Sequence, residues 1–147
     1  MKLIVNNKKA YFEYFIEDTF EAGIVLQGAE VKSLRNGEAS LLDSFVFLRN
    51  GEVYIKNMYI KPYKQSSVFS PDERRDRKLL LSKKEIQKID RQVKEKGLTI
   101  VPTKVYFKDS LVKVEIATAR GKKLYDKRET IKRREQDREV NRKLKNF

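Results

Sequence analysis

Two short runs of basic residues have the composition needed to bind phosphate groups. Residues 74–81 contain four cations and one aspartate followed by three leucines, so Arg77 and Lys78 could bind phosphates while Leu80 packs against an unstacked base. A second run places Lys122 and Lys123 directly after a glycine, which lets the backbone approach a ligand closely. Each run could equally be a solvated charged segment beside a strand, and composition alone does not decide between these interpretations.

The residues of common catalytic sites are scarce in this chain. It has no His and no Cys, which removes the commonest general base, the commonest metal ligand and any thiolate nucleophile. Glu30 and Lys32 have the Glu-x-Lys spacing of metal-dependent nucleases, but Asp72, the aspartate of a Pro-Asp pair, follows them in the chain instead of preceding them. None of the six glycines belongs to a Walker-type or Rossmann-type loop. The sequence therefore predicts a protein that is not an enzyme and needs no metal or cofactor.

The charge balance predicts a polyanionic partner. Lys and Arg number 34 against 21 Asp and Glu, which gives the 147-residue chain a formal charge of +13. Such an excess repels itself unless nucleic acid or an anionic membrane neutralises it. No window approaches the roughly 18 apolar residues of a membrane-spanning helix, and the apolar run at the N-terminus is too short for a signal peptide. We therefore expect a nucleic acid partner, no membrane association and a cytoplasmic location.

Alternating apolar and polar residues predict a body made mainly of strands. Between two such segments, Asn50 and Gly51 tolerate the positive φ angles of a type I′ turn and predict a β-hairpin. Connections this short require antiparallel neighbours, which favours a small barrel of five or six strands of the oligonucleotide-binding type. The predicted strands cover residues 12–16, 23–26, 44–49, 52–56, 98–107 and 112–119.

Helical spacing appears in two segments of the body. Ser82 and Glu85 form a capping-box pair, and apolar residues at intervals of three and four predict a helix over residues 82–96 that ends at Gly97. One or two helical turns are predicted for residues 30–35.

Residues 121–147 differ from the body and form a strongly basic tail. Residues 120–147 contain twelve basic and five acidic residues, a net charge of +7. The only regular apolar spacing there is a narrow stripe of Val140, Leu144 and Phe147, too thin to dock firmly on a body. Repulsion between like charges should keep such a segment unfolded alone, so we expect it to become helical only on a partner.

Six blocks of residues carry a resemblance to a known family. They are Glu-Ala-Gly-Ile at 21–24, Gly-Ala-Glu-Val-Lys-Ser-Leu-Arg at 28–35, Asp-Ser at 43–44, Ile-Lys-Pro-Tyr at 60–63, Arg-Lys-Leu-Leu-Leu at 77–81 and Gly-Lys-Lys-Leu-Tyr-Asp-Lys-Arg at 121–128. In this order they resemble the small protein B family, the bacterial SsrA-binding proteins that partner transfer-messenger RNA in rescuing stalled ribosomes. The match extends from about Asn7 to the end of the chain, and six ordered blocks make it specific.

The resemblance implies a fold and a function. The fold would be mainly β with flanking helices: a closed, six-stranded antiparallel barrel of the oligonucleotide-binding type with about three α-helices. The function would be that of a non-enzymatic RNA-binding adaptor acting in trans-translation. Its barrel domain, residues 1–120, would bind the elbow of the tRNA-like domain of transfer-messenger RNA and deliver that RNA to stalled ribosomes. One monomer would act per RNA.

The resemblance also assigns candidate RNA contacts. Glu21, Leu80 and Lys113 match positions implicated in RNA contact in the family. Chemically, Lys113 suits a phosphate, Leu80 suits packing on a splayed base, and Glu21 could accept a hydrogen bond from a base amino group or a 2′-hydroxyl. Further basic candidates nearby are Lys32, Arg35, Arg77 and Lys78.

In the family, the tail enters the decoding centre of the small ribosomal subunit and the empty messenger channel, where it folds as a helix. The resemblance therefore implies a ribosome-binding tail over residues 121–147. The tail residues that would contact the ribosome are Asp126, Lys127, Arg128, Ile131, Lys132, Arg133, Arg134, Arg138, Arg142, Lys143 and Lys145.

The chain also departs from the family pattern. Ala29 stands where the family usually has Thr or Ser, Ser82 stands where it often has His or Asn, and residues 70–74 differ from the usual Asp-Pro-x-Arg. These departures leave open what residues 64–76 contribute to RNA contact. A general single-strand binder, which would not need the tail, is an alternative that composition alone does not separate from the adaptor.

Overall fold

The described part of the chain is mainly β with three helices, as the family resemblance implies. The computed structural model describes residues 1–62 and 72–122. The helices are α1 (Lys8–Glu13), α2 (Gly28–Arg35) and α3 (Lys83–Lys96). The strands are β1 (Lys2–Asn6), β2 (Tyr14–Ile24), β3 (Ala39–Ser40), β4 (Phe45–Arg49), β5 (Glu52–Lys56), β6 (Tyr59–Ile60), β7 (Arg77–Leu80), β8 (Thr99–Lys108) and β9 (Leu111–Gly121).

Seven of these strands form one antiparallel sheet in the order β1-β8-β9-β2-β7-β5-β4, and β3 pairs with β6 separately. The two longest strands, β2 and β9, pair from Tyr14 opposite Gly121 to Gly23 opposite Lys113. Their register places Lys113 at one end of β9 and the start of the basic tail at the other.

Two tight hairpins are built on positive φ angles. Asn50 and Gly51 have φ values of 53° and 74° between β4 and β5, which confirms the predicted hairpin. Asp109 and Ser110, with φ values of 51° and 67°, make a similar turn between β8 and β9 without any glycine. The second turn brings Lys108 opposite Leu111 at the hairpin tip.

Capping interactions set the ends of the longer helices. The Ser82 hydroxyl accepts from the Glu85 backbone N–H, while Gly97 takes a left-handed conformation with φ of 66° at the other end. The predicted helix over residues 82–96 is therefore confirmed. Helix α2 begins two residues before the predicted segment, because a capping box between Gln27 and Glu30 starts it at Gly28.

The N-terminal part differs from the sequence prediction. The predicted strand over residues 12–16 is wrong in its first half, because Phe12 lies in α1. Strand β2 runs unbroken to Ile24, so residues 23–26 do not form a separate strand, and β1 falls where no strand is predicted. Contacts distant in sequence explain the difference: the Asn7 side-chain amide donates to the Pro102 carbonyl at 2.8 Å, 95 residues away.

The sheet encloses one main core and a smaller second cluster. Along β9, Val114 and Ile116 are fully buried in the main core, whereas Ala117 and Ala119 pack with Ala10 of α1 in the second. Strand β9 therefore buries apolar residues toward both clusters and is fixed firmly in place. Within the two described ranges, no helix is long and apolar enough to cross a membrane.

Candidate RNA-binding surface

A row of residues crosses four neighbouring strands on the outward face of the sheet. Gly23 on β2 lies opposite Leu80 on β7 and opposite Lys113 on β9, and Lys113 in turn lies opposite Tyr106 on β8. Successive side chains of a strand point to opposite faces, so Glu21 shares the face of Gly23. We call the area formed by Glu21, Gly23, Leu80 and Lys113 the Leu80 surface.

Leu80 depends on the glycine beside it. A Cβ built on Gly23 would lie 3.3 Å from the Leu80 Cβ, so the leucine side chain crosses the space that a larger residue would fill. Leu80 nevertheless remains 52% exposed. An exposed leucine held in a defined place is available to pack against an unstacked base.

A shallow pocket opens next to Leu80. Its volume is about 280 Å³, and Leu80, Val31 of α2, Leu111 and Lys113 are among the residues that line it. Leu111 is itself 60% exposed at the tip of the β8–β9 hairpin. The pocket thus combines apolar walls with one ammonium group. In the described ranges no carboxylate lies within 4 Å of the Lys113 ammonium, although its charge contributes to the lowered pKa of Glu21.

Glu21 is tied to two side chains of β8. Its carboxylate accepts a hydrogen bond from the Tyr106 hydroxyl and lies 3.3 Å from the Lys108 Nζ. The Tyr106 hydrogen bond holds the pKa of Glu21 below its ordinary value, while burial and the same bond raise the pKa of Tyr106. Glu21 is therefore ionised at neutral pH, and its first role is to orient Tyr106 and Lys108.

Helix α2 borders the pocket through Val31 and carries two predicted RNA contacts. Lys32 and Arg35 are both exposed in its last turn. The helix is anchored by the Ser33 hydroxyl, which donates to the Lys61 carbonyl at 2.6 Å. Both cations therefore stand on a fixed element near the Leu80 surface.

Arg77 is not part of the exposed surface, which corrects the prediction that it contacts RNA. Its side chain is fully buried and its Nε donates to Glu30 Oε2 at 2.6 Å, while its Nη1 donates to the Met58 carbonyl at 2.6 Å. Burial alone would raise the pKa of Glu30, but hydrogen bonds from Arg75 and Arg77 outweigh it and the pKa is lowered. Arg77 thus stabilises the fold from inside and cannot reach a phosphate in this conformation.

The neighbouring Lys78 does face outward, two residues before Leu80. Its ammonium lies 2.9 Å from Glu52 on β5, and the hydrogen bond between them raises the pKa of Lys78. The Arg77–Lys78 pair therefore splits into one buried and one surface cation, as alternation along β7 requires.

Lys122 lies far from the Leu80 surface. Its backbone N–H donates to the Glu13 carbonyl at 2.8 Å, and its Nζ lies 5.0 Å from the Phe15 ring centroid. It follows Lys113 by nine positions along the extended chain, a span of about 30 Å at 3.3 Å per residue. Lys123 and the predicted tail contacts, from Asp126 to Lys145, lie outside the described residues.

Sequence reasoning did not identify Gly23 as the neighbour of Leu80, or Tyr106 and Lys108 as partners of Glu21. Gly23 stands in one of the six family blocks, and its place beside Leu80 could be found only from strand register. Tyr106 is an aromatic residue in a predicted strand and is only 4% exposed, and its hydroxyl donates to Glu21.

The structure also shows the surroundings of Glu30, the glutamate of the Glu-x-Lys pattern found in metal-dependent nucleases. Glu30 is paired with Arg75 and Arg77 and is not free to hold a metal ion. In the described part of the chain, no cluster of three acidic residues forms a metal site. The fold and the Leu80 surface define a small, mainly β protein with a basic and partly apolar outer face.

Comparison with known proteins identifies the family of the chain. The SmpB protein family model matches residues 4–146. The SsrA-binding protein of Lachnoclostridium phytofermentans is 56% identical over 145 residues, covering 99% of this chain and 94% of its own. The corresponding protein of Thermoanaerobacter pseudethanolicus is 55% identical over 145 residues, covering 99% and 93%.

A solved structure is similar as well. A chain described with the words "tmRNA-SmpB: a journey to the center of the bacterial ribosome" superimposes with a TM-score of 0.69 at 44% identity, covering 86% of this chain and 93% of that one. The chain belongs to the SmpB protein family.

Proposed function

We propose that this protein is an RNA-binding adaptor of trans-translation. It binds the tRNA-like domain of transfer-messenger RNA and delivers that RNA to stalled ribosomes. Family membership, relatives named SsrA-binding protein, and a structural neighbour solved as tmRNA-SmpB in the ribosome support this proposal. The adaptor works by binding in the cytoplasm, one copy per RNA, and catalyses no reaction.

The observation that carries the proposal is the arrangement of Leu80 and Lys113 on either side of Gly23. The lysine offers an ammonium group without an ion pair in the described ranges, and the leucine offers exposed apolar surface beside it. Phosphate contacts position a protein on RNA, whereas apolar contacts with splayed bases allow it to recognise loops with unstacked bases. Lys32 and Arg35 on α2 extend the positive charge of this surface.

The body, residues 1–120, is proposed to be a closed barrel of the oligonucleotide-binding type. The edge strand β4 approaches β8 near the other edge of the sheet, which supports closure. Such barrels present one outer face to nucleic acid, and the Leu80 surface occupies an outer face here.

The second part of the proposal concerns residues 121–147. This basic tail would enter the decoding centre and the empty messenger channel and fold there as a helix. Lys113 and Lys122 stand about 30 Å apart along β9, and this distance supports separate binding sites for RNA on the body and for the ribosome on the tail. RNA bound at the Leu80 surface would thus leave the root of the tail accessible.

The test of the RNA-binding surface is an equilibrium binding titration across a salt series. The Lys113→Ala variant should bind the tRNA-like domain more weakly, and the slope of log affinity against log salt should fall by about 1. Lys96→Ala, at the exposed end of α3, is the matched control and should bind as the parent does. Equal affinity of Lys113→Ala and the parent would refute this surface as the binding site.

A further inference from the structure

A second outward feature, an aromatic cluster on the β4–β5 hairpin, lies outside the predicted contacts. The rings of Phe47 and Tyr54 stack across the two strands at 5.6 Å between centroids, and Phe45 lies 6.2 Å from Phe47. Phe45 is 46% exposed. We call Phe45, Phe47 and Tyr54, together with Arg49, the aromatic platform.

Cations adjoin these rings, together with the Glu52 carboxylate, which accepts from the Tyr54 hydroxyl and pairs with Lys78. The Arg49 guanidinium lies 4.9 Å from the Tyr54 centroid and 5.9 Å from that of Phe47. Lys56 is exposed directly opposite Phe45, and Lys78 lies opposite Tyr54 on the next strand. Rings with adjoining guanidinium and ammonium groups are the combination that binds unpaired bases and their phosphates.

Hairpin stability alone does not account for Phe45. A cross-strand aromatic pair stabilises two strands, and Phe47 with Tyr54 supplies one. Phe45, however, faces Lys56 across the hairpin and has no ring opposite it. Nearly half of its surface is exposed and is therefore available to a partner.

The aromatic platform is continuous with the Leu80 surface. Lys78 and Leu80 lie on the same face of β7, about 7 Å apart at two residues' spacing. Tyr54 lies directly across from Lys78 on β5. One outward face therefore runs from Lys113 across Leu80 and Lys78 to the platform, so a single RNA can contact both areas.

We propose that the aromatic platform binds unpaired bases of the same RNA that occupies the Leu80 surface, by stacking on Phe45 and on the Arg49 guanidinium. This inference rests on the proposed function, because it extends the same RNA-binding face. It adds Phe45 and Arg49 as contacts that act through stacking instead of phosphate attraction.

The test compares two exposed rings, Phe45 on β4 and Phe15 on β2. Phe45→Ala should weaken binding of the tRNA-like domain about fivefold or more while leaving the salt slope unchanged, because stacking releases no counterions. Phe15→Ala is the matched control, since Phe15 is also exposed and lies 5.1 Å from the Arg120 guanidinium, but near the tail root. Binding of the same variants to vacant ribosomes is measured in parallel.

Each possible result either supports or refutes binding of RNA at the aromatic platform. Weaker binding of the tRNA-like domain by both Lys113→Ala and Phe45→Ala, with unchanged binding by Phe15→Ala, supports the platform. If Lys113→Ala weakens binding and Phe45→Ala does not, the proposed function stands and the platform is refuted. A loss seen only with ribosomes, or equal losses for Phe45→Ala and Phe15→Ala, also refutes it. If neither Lys113→Ala nor Phe45→Ala changes binding, the proposed binding face itself fails.

Discussion

The Arg77 guanidinium and the Glu30 carboxylate form a buried ion pair that joins β7 to α2. Both strand and helix line the pocket beside the Leu80 surface, through Leu80 on one and Val31 on the other. The pair is completed by Arg75, whose Nη2 lies 2.6 Å from Glu30 Oε1. These contacts therefore link the two elements that line the pocket.

Removing Arg77 should destabilise the protein strongly. Arg77→Met leaves the buried Glu30 carboxylate with only the partly exposed Arg75 as an ion-pair partner, and we expect a loss of about 3–5 kcal/mol in the free energy of unfolding. Lys61→Met, which breaks the exposed pair with Glu38, is the control and should cost about 1 kcal/mol or less. Urea unfolding curves measure both changes, and equal losses would contradict the structural role given to Arg77.

Enlarging Gly23 should weaken RNA binding more than it weakens the fold. Gly23→Ala adds a Cβ 3.3 Å from the Leu80 Cβ, so the leucine must shift. We expect affinity for the tRNA-like domain to fall about fivefold, which corresponds to about 1 kcal/mol. Gly28→Ala is the control, because a Cβ there meets nothing within 4 Å. Unchanged affinity for Gly23→Ala would show that the position of Leu80 is unimportant.

The ionised carboxylate of Glu21 should stabilise the fold at neutral pH, and this contribution should be lost in acid. Its pKa is lowered by Tyr106, so its contribution is complete above the unfolded value of 4.5 and is lost as pH falls through the folded value. The difference in unfolding free energy between the parent and Glu21→Gln should therefore be constant near neutral pH and shrink in acid. Urea unfolding at several pH values measures it, and a difference that grows in acid would contradict this assignment.

Tyr106 should stay protonated where an ordinary tyrosine ionises. Burial and the Glu21 hydrogen bond raise its pKa above the ordinary 10.0, so its contribution to stability is present below pH 10 and lost as pH rises further. Near-ultraviolet absorbance titrations of the parent and of Tyr106→Phe should therefore differ only well above pH 10. A difference step centred at pH 10 would mean that the hydroxyl is free.

Local chemistry made much of this fold predictable. The Asn50-Gly51 turn and the helix between Ser82 and Gly97 are set by residues adjacent in sequence, and both are confirmed. Strand β1 and helix α1 are not set in this way, since Asn7 is held by backbone groups of Pro102 and Thr103 far along the chain.

The candidate site, too, could be predicted only where residues adjacent in sequence determine it. The charge run at residues 74–81 points to cations, but sequence cannot tell that Arg77 turns inward while Lys78 turns outward. That distinction depends on which face of β7 meets the core, and Glu30 supplies the buried partner from 47 residues away. The Leu80 surface likewise depends on the register that places Gly23 between two other strands.

We expect the body to bind transfer-messenger RNA and the tail to act on the ribosome, and one comparison tests this separation most directly. The intact chain and a variant ending at Gly121 are titrated with transfer-messenger RNA against unstructured RNA as competitor, and both are then assayed for tagging on stalled ribosomes. We predict that both forms prefer transfer-messenger RNA and that only the intact chain supports tagging. Failure of the intact chain to discriminate between the two RNAs, or full tagging activity without the tail, would contradict the adaptor.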